Sequence, residues 1–350
     1  MKYYVSERRF DEIDSVTARA KARDDAEAIV RENGYMPIVF DVPDRSSFGY
    51  LRKIWWQFRI IPVWKKNLKQ VTRGDELFLQ FPFREHSVFL PGVIKKTHKR
   101  GVKVVLLVHD LDIFRNLKSD DRNFFDKVKC KFEVKALKYA SRIILHNEKM
   151  IKAGKDMGLE EVRLKNLKLF DYLVADDKGE TPRRGLDLPL VIAGNLSKNK
   201  AGYVYDLPKG LKFNLYGPRY EGRNDDEIRA MGSLPPEELP FKLEGSFGIV
   251  WDGSSSKTCE GIHGKYLKIN NPHKTSLYLA SGLPVIIWKE AALADLILEN
   301  GCGFAVDSLD EIKGRLAMLS ADDYEKMRAN ASKLGAKLKE GYFLKSVLKE

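Results

Sequence analysis

Short apolar runs alternate with longer amphipathic stretches along this chain. MPIVFDV at 36–42, DELFLQFP at 75–82, VVLLVHD at 104–110 and RIILHN at 142–147 each read as a buried strand. A helical pattern covers 11–33, DEIDSVTARAKARDDAEAIVREN, and stops at Gly34 as helices often do. A charged helical stretch running through Ala140 separates the last two strands. Strands spaced by helices predict a parallel α/β sheet. The rhythm then breaks at 175–187, ADDKGETPRRGLD, a polar stretch with Gly and Pro and no apolar period. It resumes with LVIAG at 190–194, KFNLYG at 212–217, SFGIVWD at 246–252, LPVII at 283–287 and GFAVDS at 303–308, a second α/β pattern. The tail, 321–350, reads as helix broken near Gly341. The expected organisation is an N-terminal Rossmann-like domain at 1–174, a linker at 175–187, a second Rossmann-like domain at 188–320, and a helical tail at 321–350 packing back toward the first domain.

The chain length of 350 residues suits two domains of ordinary size, and 43% hydrophobic with 31% charged residues is the balance of a globular protein. MKYYVSERRF lacks the apolar core of a signal peptide, and no run approaches the roughly 18 apolar residues that a span needs. A cytoplasmic location is expected. Cys130, Cys259 and Cys302 match neither a disulfide framework nor a zinc site, so reduced thiols are expected. Sixty-one Lys and Arg against 49 Asp and Glu give a charge of +12, which favours phosphate-bearing or anionic-surface partners. Neither G-x-G-x-x-G after the first strand nor G-x-x-x-x-G-K-[ST] occurs, which argues against hydride transfer and kinase chemistry.

The chemistry concentrates in INNPHKTSLYLASGLPVIIWKEAALADLILENGCGFAV, 269–306. Asn270 or Asn271 can cap a helix with Pro272 in its first turn, Gly282 ends it, and Pro284 opens the next strand. Lys274, Thr275 and Ser276 follow the cap, so backbone N–H groups, two hydroxyls and an ammonium can converge on an anion such as a diphosphate. The alternative is an ordinary capped helix with a solvated lysine.

The order of A-x-G-x-P-V-I, a loop, a helix and G-x-G-[FW] in this segment resembles the nucleotide-binding half of GT-B glycosyltransferases. GNLSKNK at 194–200, NLYGP at 214–218, GSFGIVWDG at 245–253, and the earlier VHDLD and RIILHNEKM fit the same resemblance in order. The chain is most similar to bacterial enzymes of cell-surface glycan synthesis: the glucosyltransferases that extend GlcNAc on serine-rich adhesins, and the β-1,6-galactofuranosyltransferases of polysaccharide synthesis. The resemblance implies a GT-B fold, two Rossmann-like α/β domains with parallel sheets facing an interdomain cleft. It also implies a UDP-sugar co-substrate, no metal, no other cofactor, and inversion at the anomeric carbon. Many GT-B enzymes carry two glutamates separated by seven residues; Ile269 and Leu277 occupy those positions here, as in the adhesin-type enzymes, which lack the pair.

On this reading Lys274 faces the leaving diphosphate, where its charge stabilises the negative charge that builds as the bond breaks. Gly194, Asn195, Lys198 and Asn199, with Lys200 as a substitute for Lys198, grip the phosphates from a facing turn. Tyr216, Gly217, Gly248 and Asn271 belong to the same donor-binding set. Trp251 flanks the uracil or sugar, with Phe247 as a second candidate or a core residue. Inversion needs a base on the acceptor side. Asp110 is the leading candidate, with Asp112 and His109 behind it; Asp110 as a turn cap is the competing reading. His146 ends the next strand and is either a cleft residue or a structural one, and Ser15 and Thr17 are further contacts from a helix start.

LRKIWWQFRIIPVWKKNLKQVTR, 51–73, holds seven Lys or Arg, no acid and three of the five Trp. That mixture suits the headgroup region of an anionic membrane, where a lipid-linked saccharide acceptor would be met, and hence a peripheral place at the inner membrane face. The competing reading is a surface helix with its apolar side packed inward, with Pro62 expected to break any long amphipathic helix. A catalytically silent glycan-binding subunit and a basic nucleic-acid-binding protein are the rival functions. No recognised nucleic-acid module is present, and homo-oligomerisation is left open.

Overall fold

The computed structural model describes residues 1–9, 18–42, 49–84, 89–115, 124–174 and 182–350. Its contacts divide into two units. The first gathers β1, residues 26–167 and the last six residues, Lys345–Glu350; the second gathers Lys168–Leu344 with the start of the first helix up to Asp25.

The first unit holds β1 (Lys2–Arg9), β2 (Met36–Val42), β3 (Glu76–Phe81), β4 (Lys103–Val108), β5 (Arg142–Leu145) and β6 (Leu164–Asn166) in one sheet of order β2-β1-β3-β4-β5-β6. Every pairing is parallel. Helices Ala18–Glu32, Tyr50–Asn67, Leu90–Lys99, Phe124–Leu137 and Glu148–Asp156 connect them. A parallel sheet is covered on both faces, so its central strands must be apolar on both sides. KVVLLV and RIIL meet that demand: after the first residue every position is buried. Phe40, Trp64 and Phe83 fill the space under the second helix, with Trp64 centred 4.7 Å from Phe40 and 4.8 Å from Phe83.

The second unit holds β7 (Leu190–Ala193), β8 (Phe213–Tyr216), β9 (Ile228–Gly232), β10 (Gly248–Val250), β11 (Val285–Trp288) and β12 (Gly303–Val306), again all parallel, in the order β12-β11-β10-β7-β8-β9. The helix His273–Ala280 precedes β11, and Ala321–Lys339 and Tyr342–Lys349 end the chain on either side of Gly341. Phe247, Phe304 and Tyr324 form the aromatic centre of this core.

Three strands escape a reading by apolar runs. β1 is KYYVSERR, half polar and basic; β6 is three residues long; β9, IRAMG, is an edge strand exposed after its first residue. The helical pattern at 11–33 is realised over Ala18–Glu32, and its first part falls outside the described residues, as does 175–181 of the expected linker. Pro62 does not break its helix, which runs for 18 residues from Tyr50 to Asn67. Pro62 is exposed, so the carbonyl that loses its N–H partner lies on the side that water reaches.

Two glycines separate backbone demand from chance. Gly217, just past β8, has φ 151°, and a Cβ there would stand 1.8 Å from the Gly194 carbonyl oxygen. Gly314, inside the helix Glu311–Ala317, has open space around it. Gly217→Ala is expected to cost about 2–4 kcal/mol, and Gly314→Ala to stabilise by about 0.5–1 kcal/mol, in chemical denaturation.

Candidate functional site

The order of the second sheet reverses between β7 and β10: the chain moves outward from β7 through β8 to β9, then returns to the other side of β7. Open parallel sheets bind ligands beyond the carboxyl ends of their strands at such a reversal, because the loops diverge there. The loops after β7, β8 and β10 are laced together by main-chain bonds. Gly194 N donates to Tyr216 O at 2.9 Å, Leu196 N to Pro218 O at 3.1 Å, and Gly253 N to Lys200 O at 3.1 Å. The Asn195 carboxamide oxygen accepts from Ser197 N at 3.0 Å and turns the chain into the short helix Lys198–Ala201. Gly194, Lys198 and Asn199 are exposed and Lys200 is half-buried.

Lys274 occupies the second position of the His273–Ala280 helix, and its ammonium reaches the end of β10. Nζ donates to Trp251 O at 2.8 Å and to Asp252 Oδ1 at 2.9 Å. The two side chains are 14% and 10% exposed, so the pair is largely shielded from water. A cation at the positive end of a helix is unfavourable by about 0.3–1 kcal/mol, a local conflict that Asp252 offsets. An ammonium has three donors, so two bonds leave one N–H. The helix is further located by Tyr278, whose hydroxyl accepts from Ala193 N at 2.7 Å.

The neighbours of Lys274 depart from a convergent hydroxyl cluster. Neither asparagine caps the helix: Pro272 is the N-cap residue and makes no side-chain cap bond. Asn271 instead donates to Lys168 O at 2.8 Å. The Ser276 hydroxyl is buried and donates to Phe170 O at 2.6 Å. Thr275 is buried, and its hydroxyl has no partner among the described residues. Trp251 is fully enclosed, donates to Ser255 O at 2.9 Å and packs against Trp288; what it offers Lys274 is its main-chain carbonyl, not a ring face. Tyr216 is buried, its hydroxyl donating to Lys242 O and accepting from Glu244 N. Gly248 is required by packing, since a Cβ would stand 2.2 Å from the Tyr278 ring. Phe247 is core.

In the first unit a chain of polar side chains runs beneath the strand ends. Ser6 donates to Glu27 Oε2 at 2.6 Å, the Gln80 amide to Glu27 Oε1 at 3.4 Å, and His109 Nε2 lies 2.6 Å from Gln80 Oε1. A bond to an amide oxygen places the proton on Nε2 and fixes the tautomer of His109. Asp110 is half-buried beside it. The amides of the following turn are taken by the buried Glu133, which accepts from Asp112 N at 3.2 Å and Ile113 N at 3.0 Å. His146 is buried and bonded to Val108 O at 3.0 Å, a structural placement. Ser15 and Thr17 lie outside the described residues.

Sequence reasoning missed Asp252, Tyr278, Glu133 and the Glu27–Gln80 support of His109. One signal for the last was present: a glutamine at the penultimate position of the otherwise apolar run LFLQF. The three cysteines are buried and form no disulfide, and no cluster of three or more His, Cys, Asp or Glu able to hold a metal occurs among the described residues.

These two parallel units, with a cation held at a strand-order reversal, have the GT-B architecture of nucleotide-sugar glycosyltransferases. WaaG, a glycosyltransferase involved in lipopolysaccharide biosynthesis, superposes with a TM-score of 0.60 at 12% identity, covering 98% of each chain. HepE of Anabaena in complex with UDP gives 0.54 at 13% identity over 100% of this chain and 98% of that one. The Glucosyltransferase 3-like family models match residues 2–169 with the N-terminal domain and 190–350 with the C-terminal domain. The β-1,6-galactofuranosyltransferase WbbI of Escherichia coli K12 is 36% identical over 281 residues, 79% of this chain and 78% of its own. The chain belongs to the Glucosyltransferase 3-like family and is a glycosyltransferase of polysaccharide or glycan synthesis.

His273, one residue before Lys274, makes this helix start sensitive to acid. Its Nε2 is 3.3 Å from Asp171 O, its ring stacks on Tyr172 at 5.0 Å, and burial pushes its pKa down to about 4. The folded state therefore holds the ring neutral, whereas the unfolded chain protonates it below its ordinary value. Stability is expected to fall between about pH 6.5 and 4 with a contribution of up to about 1.4 kcal/mol per pH unit, and His273→Gln should flatten that slope in urea titrations. Thr275→Val, which removes an unpartnered buried hydroxyl without changing shape, is expected to leave the ligand-free protein equally stable or about 1 kcal/mol more so in the same assay.

Proposed function

We propose that the chain transfers a hexose from a UDP-sugar to a saccharide acceptor, with inversion at the anomeric carbon and without a metal. The observation that carries this reading is the Lys274 ammonium at a helix start, beyond the end of β10, where the second sheet reverses its strand order. Its remaining N–H and the first amides of the helix are donors for a diphosphate, and Gly194, Asn195, Lys198 and Asn199 supply an exposed turn at the neighbouring strand end. Charge on the β-phosphate grows as the glycosidic bond breaks, and a preorganised ammonium stabilises that charge without having to reorient. HepE in complex with UDP supports uridine diphosphate as the leaving group. Identity to WbbI over four-fifths of the chain supports galactofuranose as the sugar, with glucose, as in the family description, the alternative.

The base comes from the first unit in this reading. Asp110 takes the proton of the acceptor hydroxyl, and His109, held by Gln80, orients the acceptor. A lipid-linked glycan is the acceptor class that fits the basic, aromatic face described below.

Lys274→Met removes the ammonium and leaves the Asp252 carboxylate without its cation, so each variant must be compared with its own baseline. UDP at about 100 times its dissociation constant is expected to raise the melting temperature of the unmodified protein by about 5 °C, and Lys274→Met should lose most of that rise. A full rise in the variant would remove Lys274 from the donor site. With UDP-galactofuranose and UDP-glucose assayed side by side, Asp110→Asn is expected to lower kcat by about 100-fold or more at unchanged UDP affinity; a change of less than about threefold would exclude Asp110 as the base.

A further inference from the structure

The helix Tyr50–Asn67 has one face that the fold uses and one that it does not. Ile60, Trp64 and, just past the helix, Leu68 are 1–2% exposed and enter the core beside Phe40 and Phe83. On the other side Trp55 is 52%, Phe58 60% and Val63 37% exposed. Phe89, 41% exposed, leans on Phe58 with ring centroids 5.0 Å apart, so the aromatic surface extends beyond one helix. Arg59 lies over the Trp55 ring at 4.9 Å, Arg52, Lys65 and Lys66 are exposed on the same helix, and Lys69 and Arg73 are exposed in the segment that follows it. No Asp or Glu occurs from Tyr50 to Gly74.

We propose that this face docks the protein on an anionic lipid bilayer, with Trp55, Phe58 and Val63 entering the headgroup boundary and the surrounding Lys and Arg meeting lipid phosphates. Charge complementarity selects the partner: a cationic segment with no acid of its own is attracted to a negative leaflet, and indole and phenyl rings are most stable at the level of the headgroups. The helix lies along the surface, because no helix among the described residues is long and apolar enough to cross a membrane. A nucleic acid is the poorer occupant. Stacking on bases needs open ring faces, yet Trp55 has a guanidinium over it and Phe58 packs on Phe89, while Val63 and Pro62 offer aliphatic surface with no base to pair with.

The test is co-sedimentation of the full chain with phosphatidylcholine vesicles and with vesicles containing roughly 30% phosphatidylglycerol, at about 0.1 M salt. Binding is expected only to the anionic vesicles. Lys65→Glu with Lys66→Glu should weaken it by more than about tenfold, at about fivefold per charge removed, and Trp55→Ser with Phe58→Ser by about tenfold. All four side chains are exposed, so both double variants should keep the unmodified melting temperature; if the aromatic pair does not, the charge pair carries the test. No binding to anionic vesicles would overturn the proposal, as would binding that the charge pair leaves intact. Retention of a single-stranded oligonucleotide, abolished by the same variants in a protein that ignores vesicles, would assign the face to nucleic acid instead.

Discussion

The Lys274 ammonium, held between the Trp251 carbonyl and the Asp252 carboxylate, is the interaction on which the second unit's site depends. It links the start of the His273–Ala280 helix to the end of β10, while Tyr278 links the same helix to β7 through the Ala193 amide. One helix is thereby referenced to both strands that flank the order reversal, and the loops that leave those strands inherit its position. A cation at the positive end of a helix opposes the local field, and such conflicts between local preference and placement concentrate at sites of function.

The same economy of position shapes the glycines around the site. Gly217 lets β8 turn against the Gly194 carbonyl, and Gly248 lets the Tyr278 ring lie on β10. Neither needs to touch a ligand to be indispensable; each permits a close backbone or ring approach that puts the loops after β7, β8 and β10 in register. The first unit follows a parallel logic, where Glu27 and Gln80, one on a helix and one on a strand, set the orientation of His109. Both units place their candidate site residues past the carboxyl ends of parallel strands and secure them from beneath with buried polar contacts.

The strands legible in the sequence were those buried on both faces, such as KVVLLV and VIIW, because double-sided burial forces a continuous apolar run. β1 and β9 were illegible for the converse reason: their polar residues reach solvent or, like Ser6, bond laterally to another element. The basic segment 51–73 carried two messages in one composition, and only the helix phase sorted Trp64 into the core from Trp55 outside it.

The sequence alone determined the α/β class, the two-part rhythm, the helix bounded by Pro272 and Gly282, and Lys274 near its start, since periodicity and punctuation residues act over a few positions. Tertiary structure alone decided which partners those residues meet. Asp252 lies 22 positions from Lys274, Ser276 finds a carbonyl 106 positions away, and Gln80 reaches a glutamate 53 positions back. Such pairings are set by strand order and helix docking, which bring distant residues together through the burial of apolar surface, a force that carries no address in the local sequence.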